Sequence, residues 1–185
     1  MPDLAELFRK TILTFVLSHV FQGAGAKDDS ARVFQITLVR LVDKSLEDYE
    51  LSRVAFSEYV SRSSNNVWSP LFRAVGHMEN CFSSLERALR LARRLADHEE
   101  TASAFSNCSV LAPAVRKRIS KIRNAMEHID DRVARQQINQ GDLTMLFLGE
   151  DAVELQHERI EYLELAAWLR ELHDLSTKMA TFGAQ

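Results

Sequence analysis

The chain has 185 residues, of which 46% are hydrophobic and 26% charged, and its formal net charge is −3. This length and apolar content suffice for one domain with its own buried core. The charge excludes a protein whose overall positive field draws it to nucleic acid. Only six glycines and three prolines are present, which argues against many short strands and turns. We therefore expect a single, mostly α-helical domain over residues 1–185.

The first predicted helix runs from about Pro2 to Phe21 and ends at residues 22–25, whose glycines suit a C-terminal cap. Its apolar run over residues 12–21 is similar to the core of a signal peptide. Acidic residues precede this run where a signal peptide has basic ones, and the run is too short to cross a bilayer. We therefore interpret it as a buried helix and expect no membrane association.

Two long helices are predicted next. Residues 28–30 supply capping side chains for a helix that extends to about Val60, and the polar run at residues 61–66 ends it. The pair Ser69-Pro70 then suits the N-cap and first position of a third helix, which continues to about His98.

A fourth helix, the motif helix, is predicted from about Pro113 to about Ile138. Its apolar residues follow a 4-3-4-3-4 spacing, which forms one stripe on a helix. The stripe consists of Val115, Ile119, Ile122, Met126, Ile129 and Val133. Neighbouring polar residues fall outside it, so this helix should present its apolar stripe to the core and its polar side to a cleft or a partner.

After Gly141 the pattern changes to a short apolar run, a turn-like segment at residues 149–151 and an alternating segment at residues 153–156. This pattern predicts a small β-hairpin over about residues 143–157, which must lie against the helices because two strands alone are marginally stable. A last helix is predicted from about Tyr162 to Met179. The expected fold is a bundle of four to five helices with a small β-hairpin inserted before the last helix.

The chemistry of the chain is concentrated in the hexad Arg123-Asn124-Ala125-Met126-Glu127-His128 on the polar side of the motif helix. Arginine offers a fixed positive fork for phosphate oxygens, and histidine titrates near neutral pH. The alternative is an ordinary solvated helix face with side-chain pairs four residues apart, worth about 0.2–0.5 kcal/mol each. Glu127 would oppose a bound phosphate unless Arg123 neutralises it.

The hexad resembles the signature of the HEPN superfamily, the "higher eukaryotes and prokaryotes nucleotide-binding" domains. That signature is an arginine, usually followed by a polar residue, and a histidine after four to six intervening residues. The resemblance covers roughly the helices between residues 30 and 135, and only the hexad matches residue by residue. Many members are metal-independent endoribonucleases whose dimers place two copies of the motif across one cleft. Others are inactive scaffolds or regulators.

The resemblance implies a metal-independent endoribonuclease that acts as a homodimer in a toxin–antitoxin or antiviral defence role, with an antitoxin or regulatory protein as a further partner and no cofactor. His128 would act as general acid or base, Arg123 would bind the phosphate, and Asn124 would orient His128 or the phosphate. Glu79 on the preceding helix is the acidic candidate, with an ordinary surface carboxylate as its alternative. The alternative function is a non-catalytic helical dimerisation or partner-docking module.

Two basic runs stand out in this chain of negative net charge. The first lies at the end of the third helix, where we interpret it as a solvated helix face. It consists of Arg87, Arg90, Arg93 and Arg94. The second run leads into the hexad and is expected to contact RNA through Arg116, Lys117 and Lys121.

The cysteines and the remaining histidines predict neither a metal site nor a disulfide. Cys81 and Cys108 show neither metal-binding spacing nor a disulfide framework, which predicts reduced thiols and a cytoplasmic protein. Six histidines are scattered, and no pair has the spacing of a helix-borne zinc site. We therefore expect no bound metal.

Overall fold

The computed structural model describes residues 1–7, 10–22, 24–61, 68–106, 108–137 and 145–183. The helices are α1 (Lys10–Gln22), α2 (Asp29–Ser61), α3 (Ser69–Ala96), α4 (Pro113–Glu127), α5 (Ile129–Ala134) and α6 (Tyr162–Ala180). The strands are β1 (Phe147–Leu148), β2 (Ala152–Leu155) and β3 (Glu158–Glu161). The predicted fold class, a mostly α bundle with a small β element before the last helix, is confirmed.

The long helices α2 and α3 form the centre of the bundle and run antiparallel to each other. The Ser52 hydroxyl donates to the Ala74 carbonyl at 2.8 Å, and Arg73 pairs with Glu58 at 2.6 Å nearer the end of α2. Helix α6 packs onto α2, and the shared core is aliphatic and aromatic. Its fully buried members include Leu38, Leu46, Tyr49, Met78, Phe82, Leu85, Leu165, Leu169 and Leu172.

The predicted bounds of the second and third helices are correct to within two residues, whereas the prediction for the first helix is wrong in two respects. Helix α1 begins at Lys10 and not near Pro2, because Leu4 is buried and its backbone N–H donates to the Glu50 carboxylate at 2.5 Å. One face of α1 is also exposed, including Leu13 at 63%. Among the described residues, none of the helices combines the length and the apolarity that a membrane crossing requires. The polar run at residues 62–66 lies outside the described residues.

The predicted hairpin is part of a three-stranded antiparallel meander. Strands β1 and β2 pair as expected, with Phe147 opposite Glu154, and β3 adds a second hairpin in which Val153 faces Ile160. The turn between β2 and β3 places Gln156 at a φ of 56°. The sheet packs its apolar side onto the helices, since Val153 and Ile160 are fully buried. The predicted start of the hairpin at residues 143–144 lies outside the described residues.

Glu171 of α6 fixes the chain that leads into α4. Its carboxylate accepts hydrogen bonds from the backbone N–H and the hydroxyl of Ser109, both at 2.5 Å, and from the N–H of Val110 at 3.0 Å. Burial by itself raises the pKa of Glu171, but these hydrogen bonds outweigh it and leave the pKa below its ordinary value. The carboxylate therefore holds the 3₁₀ turn at Ser109–Leu111, and with it the start of α4.

Replacing Glu171 by glutamine is expected to lower the free energy of unfolding by about 1–3 kcal/mol. A carboxylate with a depressed folded pKa stabilises the fold above the ordinary pKa of glutamate, about 4.3, and this contribution is lost as pH falls through the folded pKa. Urea unfolding should therefore show a difference between the two proteins at neutral pH that shrinks below about pH 4. Glu161→Gln, an exposed carboxylate just before α6, is the control; an equal effect there would contradict the assignment.

Candidate functional site

Helix α4 is fixed in the bundle by its apolar stripe. Pro113 opens the helix, and Ile119 and Ile122 have no exposed surface. Val115 and Met126 are partly buried against the same core. The predicted stripe is therefore confirmed as far as Met126, which places the first residues of the hexad on a rigid helix.

The motif helix does not continue to Ile138 as predicted. It ends at Glu127, His128 takes φ −105° and ψ 14°, and the short helix α5 starts at Ile129. The stripe fails at the same point, because Val133 is 58% exposed. Burial of an apolar face supplies most of the stability of a helix in a protein, so the break falls where the core contacts end. Ile138 itself lies outside the described residues.

His128 therefore lies at the junction of two helices and not inside one. Its side chain is 63% exposed, and its Nδ1 lies 3.8 Å from a carboxylate oxygen of Asp131. Its backbone N–H still donates to the Asn124 carbonyl at 3.1 Å. The imidazole is thus open to solvent and within reach of a carboxylate on α5.

The side chain of Arg123 is already paired with the acidic residue of the hexad. Its guanidinium forms an ion pair with Glu127, the neighbour expected if the hexad is a solvated helix face. Within the described residues, no hydrogen bond or ion pair joins the side chains of Arg123, Asn124 and His128 to one another. One chain therefore presents the three groups on one helix end without connecting them.

Glu79 is not joined to the hexad in the described part of one chain. It lies half-buried on α3, and burial raises its pKa. Helices α3 and α4 are in contact, but no hydrogen bond or ion pair within the described residues links Glu79 to Arg123 or His128. Its role in the site stays a prediction.

The basic run before the hexad divides between two sides of α4. Arg118 pairs with Glu164 and lies over the Trp168 ring, 5.4 Å from its centroid, while Lys121 pairs with Glu158. These two cations face the sheet and α6. Arg116 and Lys117 are exposed on the helix, and neither has an ion pair within the described residues.

A hollow of about 390 Å³ lies beside the hexad, between α4 and the turn that joins β2 to β3. Asn124 reaches it, whereas Arg123 and His128 do not line it. Its lining residues are Lys121, Asn124, Ala125, Arg132, Leu155, Gln156, His157 and Glu158. Sequence reasoning did not place His157 here, because β3 and its turn were not predicted.

Two further features were not predicted. Asp48 on α2 is buried and lies 2.9 Å from the Lys44 ammonium and 3.6 Å from His77 Nδ1. An apolar cleft of about 910 Å³ lies between the end of α2, the start of α3 and β1, with Trp68 and Phe147 half exposed on it. The pattern of polar and apolar residues along a long helix indicates neither the buried Asp48 nor the apolar cleft. The described residues contain no group of three metal-ligating side chains.

No protein-family model matches this chain, and no curated protein or solved structure matches it significantly. The resemblance to the HEPN superfamily therefore rests on the hexad and on its helical setting. Its two chemically active residues, Arg123 and His128, lie on or beside the last turn of α4.

Proposed function

We propose that this protein is a metal-independent endoribonuclease of HEPN type that acts as a homodimer in a cytoplasmic toxin–antitoxin or antiviral defence role. One observation carries the proposal: Arg123 and the exposed His128 lie at the same end of a helix that buried Ile119 and Ile122 hold in place. A phosphate at this end meets a cationic fork and an imidazole, two groups that can promote phosphodiester cleavage without a metal.

The reaction that these groups support uses the RNA as its own nucleophile. The ribose 2′-hydroxyl attacks the adjacent phosphate while His128 accepts its proton. The bond to the 5′-oxygen of the next nucleotide breaks, and that oxygen takes a proton from water or from the His128 of a second copy. The products are a 2′,3′-cyclic phosphate and a 5′-hydroxyl end. Arg123 stabilises the charge that develops on the phosphate oxygens. Asn124 donates a hydrogen bond that orients the phosphate or the imidazole.

The direct test is cleavage of single-stranded RNA by the purified protein in excess EDTA. The expected products carry cyclic phosphate and 5′-hydroxyl ends, which end-specific labelling identifies. A 5′-phosphate product, or activity that disappears with EDTA and returns with a divalent cation, would overturn the mechanism. Co-purification from its native host would show whether an antitoxin or regulatory protein accompanies the chain.

The proposed site needs two copies of the chain. One hexad gives a phosphate a single wall, and its arginine is already paired with Glu127. A two-fold dimer in which the α4 ends approach each other brings the same patch onto itself and supplies a second arginine and histidine. Glu127 and Asp131 then compensate the assembled cations, whose burial without carboxylates is costly.

We expect the protein in solution to have twice the 21.1 kDa mass of the chain. Light scattering coupled to gel filtration at micromolar concentration measures this mass directly. Asp131→Arg, which adds cations to a cationic cluster, should shift the protein towards the monomer. A wild-type monomer at this concentration would contradict the two-copy site and remove most of the case for catalysis.

The ion pair between Arg123 and Glu127 favours a second candidate function, a non-catalytic dimerisation or partner-docking module. In that role Arg123, Asn124 and His128 bond across a protein interface, and a charge-balanced hexad suits a surface that is buried against another copy or a partner. The two functions differ in what Glu127 does. It restrains a phosphate-binding arginine in the first and supplies an interface contact in the second.

Replacing Glu127 by glutamine separates the two functions. In a ribonuclease the change releases Arg123, and RNA affinity at low salt should rise about fivefold, the effect of ~1 kcal/mol. In a docking module the same change should weaken the dimer without creating RNA affinity. Glu6→Gln, an exposed carboxylate that precedes α1 in the chain, removes the same charge and serves as the control. Fluorescence anisotropy with labelled RNA and light scattering on the same samples give the answer.

A further inference from the structure

We infer that single-stranded RNA reaches the hexad along a belt of arginines on α3 and the start of α4. This arginine belt consists of Arg87, Arg90, Arg93, Arg94 and Arg116. The inference rests on the proposed ribonuclease function, and it assigns to that function a substrate surface outside the hexad. It replaces the interpretation of the α3 arginines as an ordinary solvated helix face.

Three of these arginines form a line along one groove. Arg87, Arg90 and Arg94 border a shallow groove between α2 and α3 with a volume of about 200 Å³. With a rise of about 1.5 Å per residue, they span roughly 10 Å along the helix axis. A line of guanidinium groups matches a chain of phosphates better than a single anion, because each fork can hold two phosphate oxygens.

The floor of the groove, beneath these cations, consists of buried or half-buried apolar side chains. Leu41 is buried and Leu91 half-buried at its floor, and Arg94 is held 5.4 Å above the Phe34 ring centre. A surface that binds membranes combines cations with exposed apolar side chains that insert, and this groove offers none at its floor. The arrangement favours contact with a polyanion backbone over contact with a lipid surface.

The belt continues from α3 onto α4. Arg93 and Arg116 line one hollow of about 150 Å³ together with Leu89 and Pro113. Arg123 follows Arg116 by seven residues, which at about 100° per residue brings it back to within roughly 20° of the same side of α4. The line of cations therefore leads from the groove on α3 to the hexad.

The opposite side of α4 cannot offer the same path. Lys121 and Arg118 are paired there with Glu158 and Glu164. On the belt, by contrast, Arg87 and Arg116 have no ion pair within the described residues, and both are exposed. The two carboxylates that do pair with the belt, Glu86 and Asp97, neutralise one arginine each, so the belt keeps a positive balance in a chain of negative net charge.

The test is the binding of a fluorescein-labelled, unstructured 20-nucleotide RNA, measured by anisotropy in the His128→Ala background, which removes cleavage from the measurement. The belt variant carries Arg87→Gln, Arg90→Gln and Arg94→Gln. We expect it to bind at least about tenfold more weakly at low salt. The slope of log affinity against log salt should fall by about two, as for the loss of three phosphate contacts on a single strand.

A control variant removes the same number of charges elsewhere on the surface. It carries Arg73→Gln, Arg159→Gln and Arg170→Gln, all at exposed positions, and it should bind as the parent does. Equal RNA binding by the belt and control variants would overturn the inference, as would a belt variant that loses binding only to phosphatidylserine vesicles or to an acidic protein.

Failure of the inference and failure of the proposed function give different results. If RNA is cleaved in EDTA by the wild type, and equally by a protein that carries the three belt substitutions and keeps His128, the belt is wrong and the ribonuclease stands. If the belt variant loses RNA binding but the wild type never cleaves, the belt stands as an RNA-binding surface and the catalytic proposal is wrong.

Discussion

Replacing His128 by alanine is expected to lower the rate of RNA cleavage in EDTA by a factor of about 10²–10⁴, the usual contribution of a positioned general acid or base. Arg123→Ala should lower it by about 10²–10³, because the charge on the phosphate oxygens then develops without its main donor. Arg123→Lys should restore little of this loss, since an ammonium lacks the planar fork. Initial rates on a defined RNA measure all three variants, and circular dichroism checks that each is folded.

The matched control for this prediction is His157→Ala. His157 is exposed on the β2–β3 turn, beside the hollow that Asn124 reaches, so it is the histidine best placed to act as a rival proton carrier. Retained activity in this variant assigns the proton transfer to His128. Loss of activity in His157→Ala with retention in His128→Ala would instead move the chemistry to the turn and contradict the assignment.

The sequence predicts those helices whose limits are encoded locally. Capping residues before α2 and the Ser69-Pro70 pair that opens α3 are read from neighbours in the chain, and both helices are correct to within two residues, although Trp68 and not Ser69 is the N-cap of α3. The start of α1 depends on Leu4, whose backbone bonds to Glu50 forty-six residues away, and no local signal reveals that contact. Strand β3 was missed because Ile160 is its only apolar residue. This segment is a strand because its backbone pairs with β2.

The same distinction holds at the candidate site. The hexad itself and the pair of Arg123 with Glu127 follow from spacing along one helix. The carboxylates that pair with Lys121 and Arg118 lie 37 and 46 residues further along the chain, so spacing along α4 gives no indication of them. The sequence predicts a basic run that leads into the hexad, and tertiary ion pairs divide this run into a paired side and an open side.

The packing of the apolar stripe against the core is expected to end where α4 ends. Ile122→Ala is expected to lower the free energy of unfolding by about 2–5 kcal/mol, because the residue is fully buried and its removal leaves a cavity in the core. Val133→Ala, in the same sequence pattern but 58% exposed on α5, should change stability by no more than about 0.5 kcal/mol.

Urea unfolding of both variants at one protein concentration tests this contrast, since the stability of a dimer depends on concentration. Losses of similar size would mean that α5 is covered as α4 is, and the break at His128 would no longer mark the end of the packed helix. The expected contrast has a functional consequence. The buried half of the stripe fixes the backbone that carries Arg123, while the exposed α5 would leave His128 and Asp131 room to adjust in the proposed dimeric site.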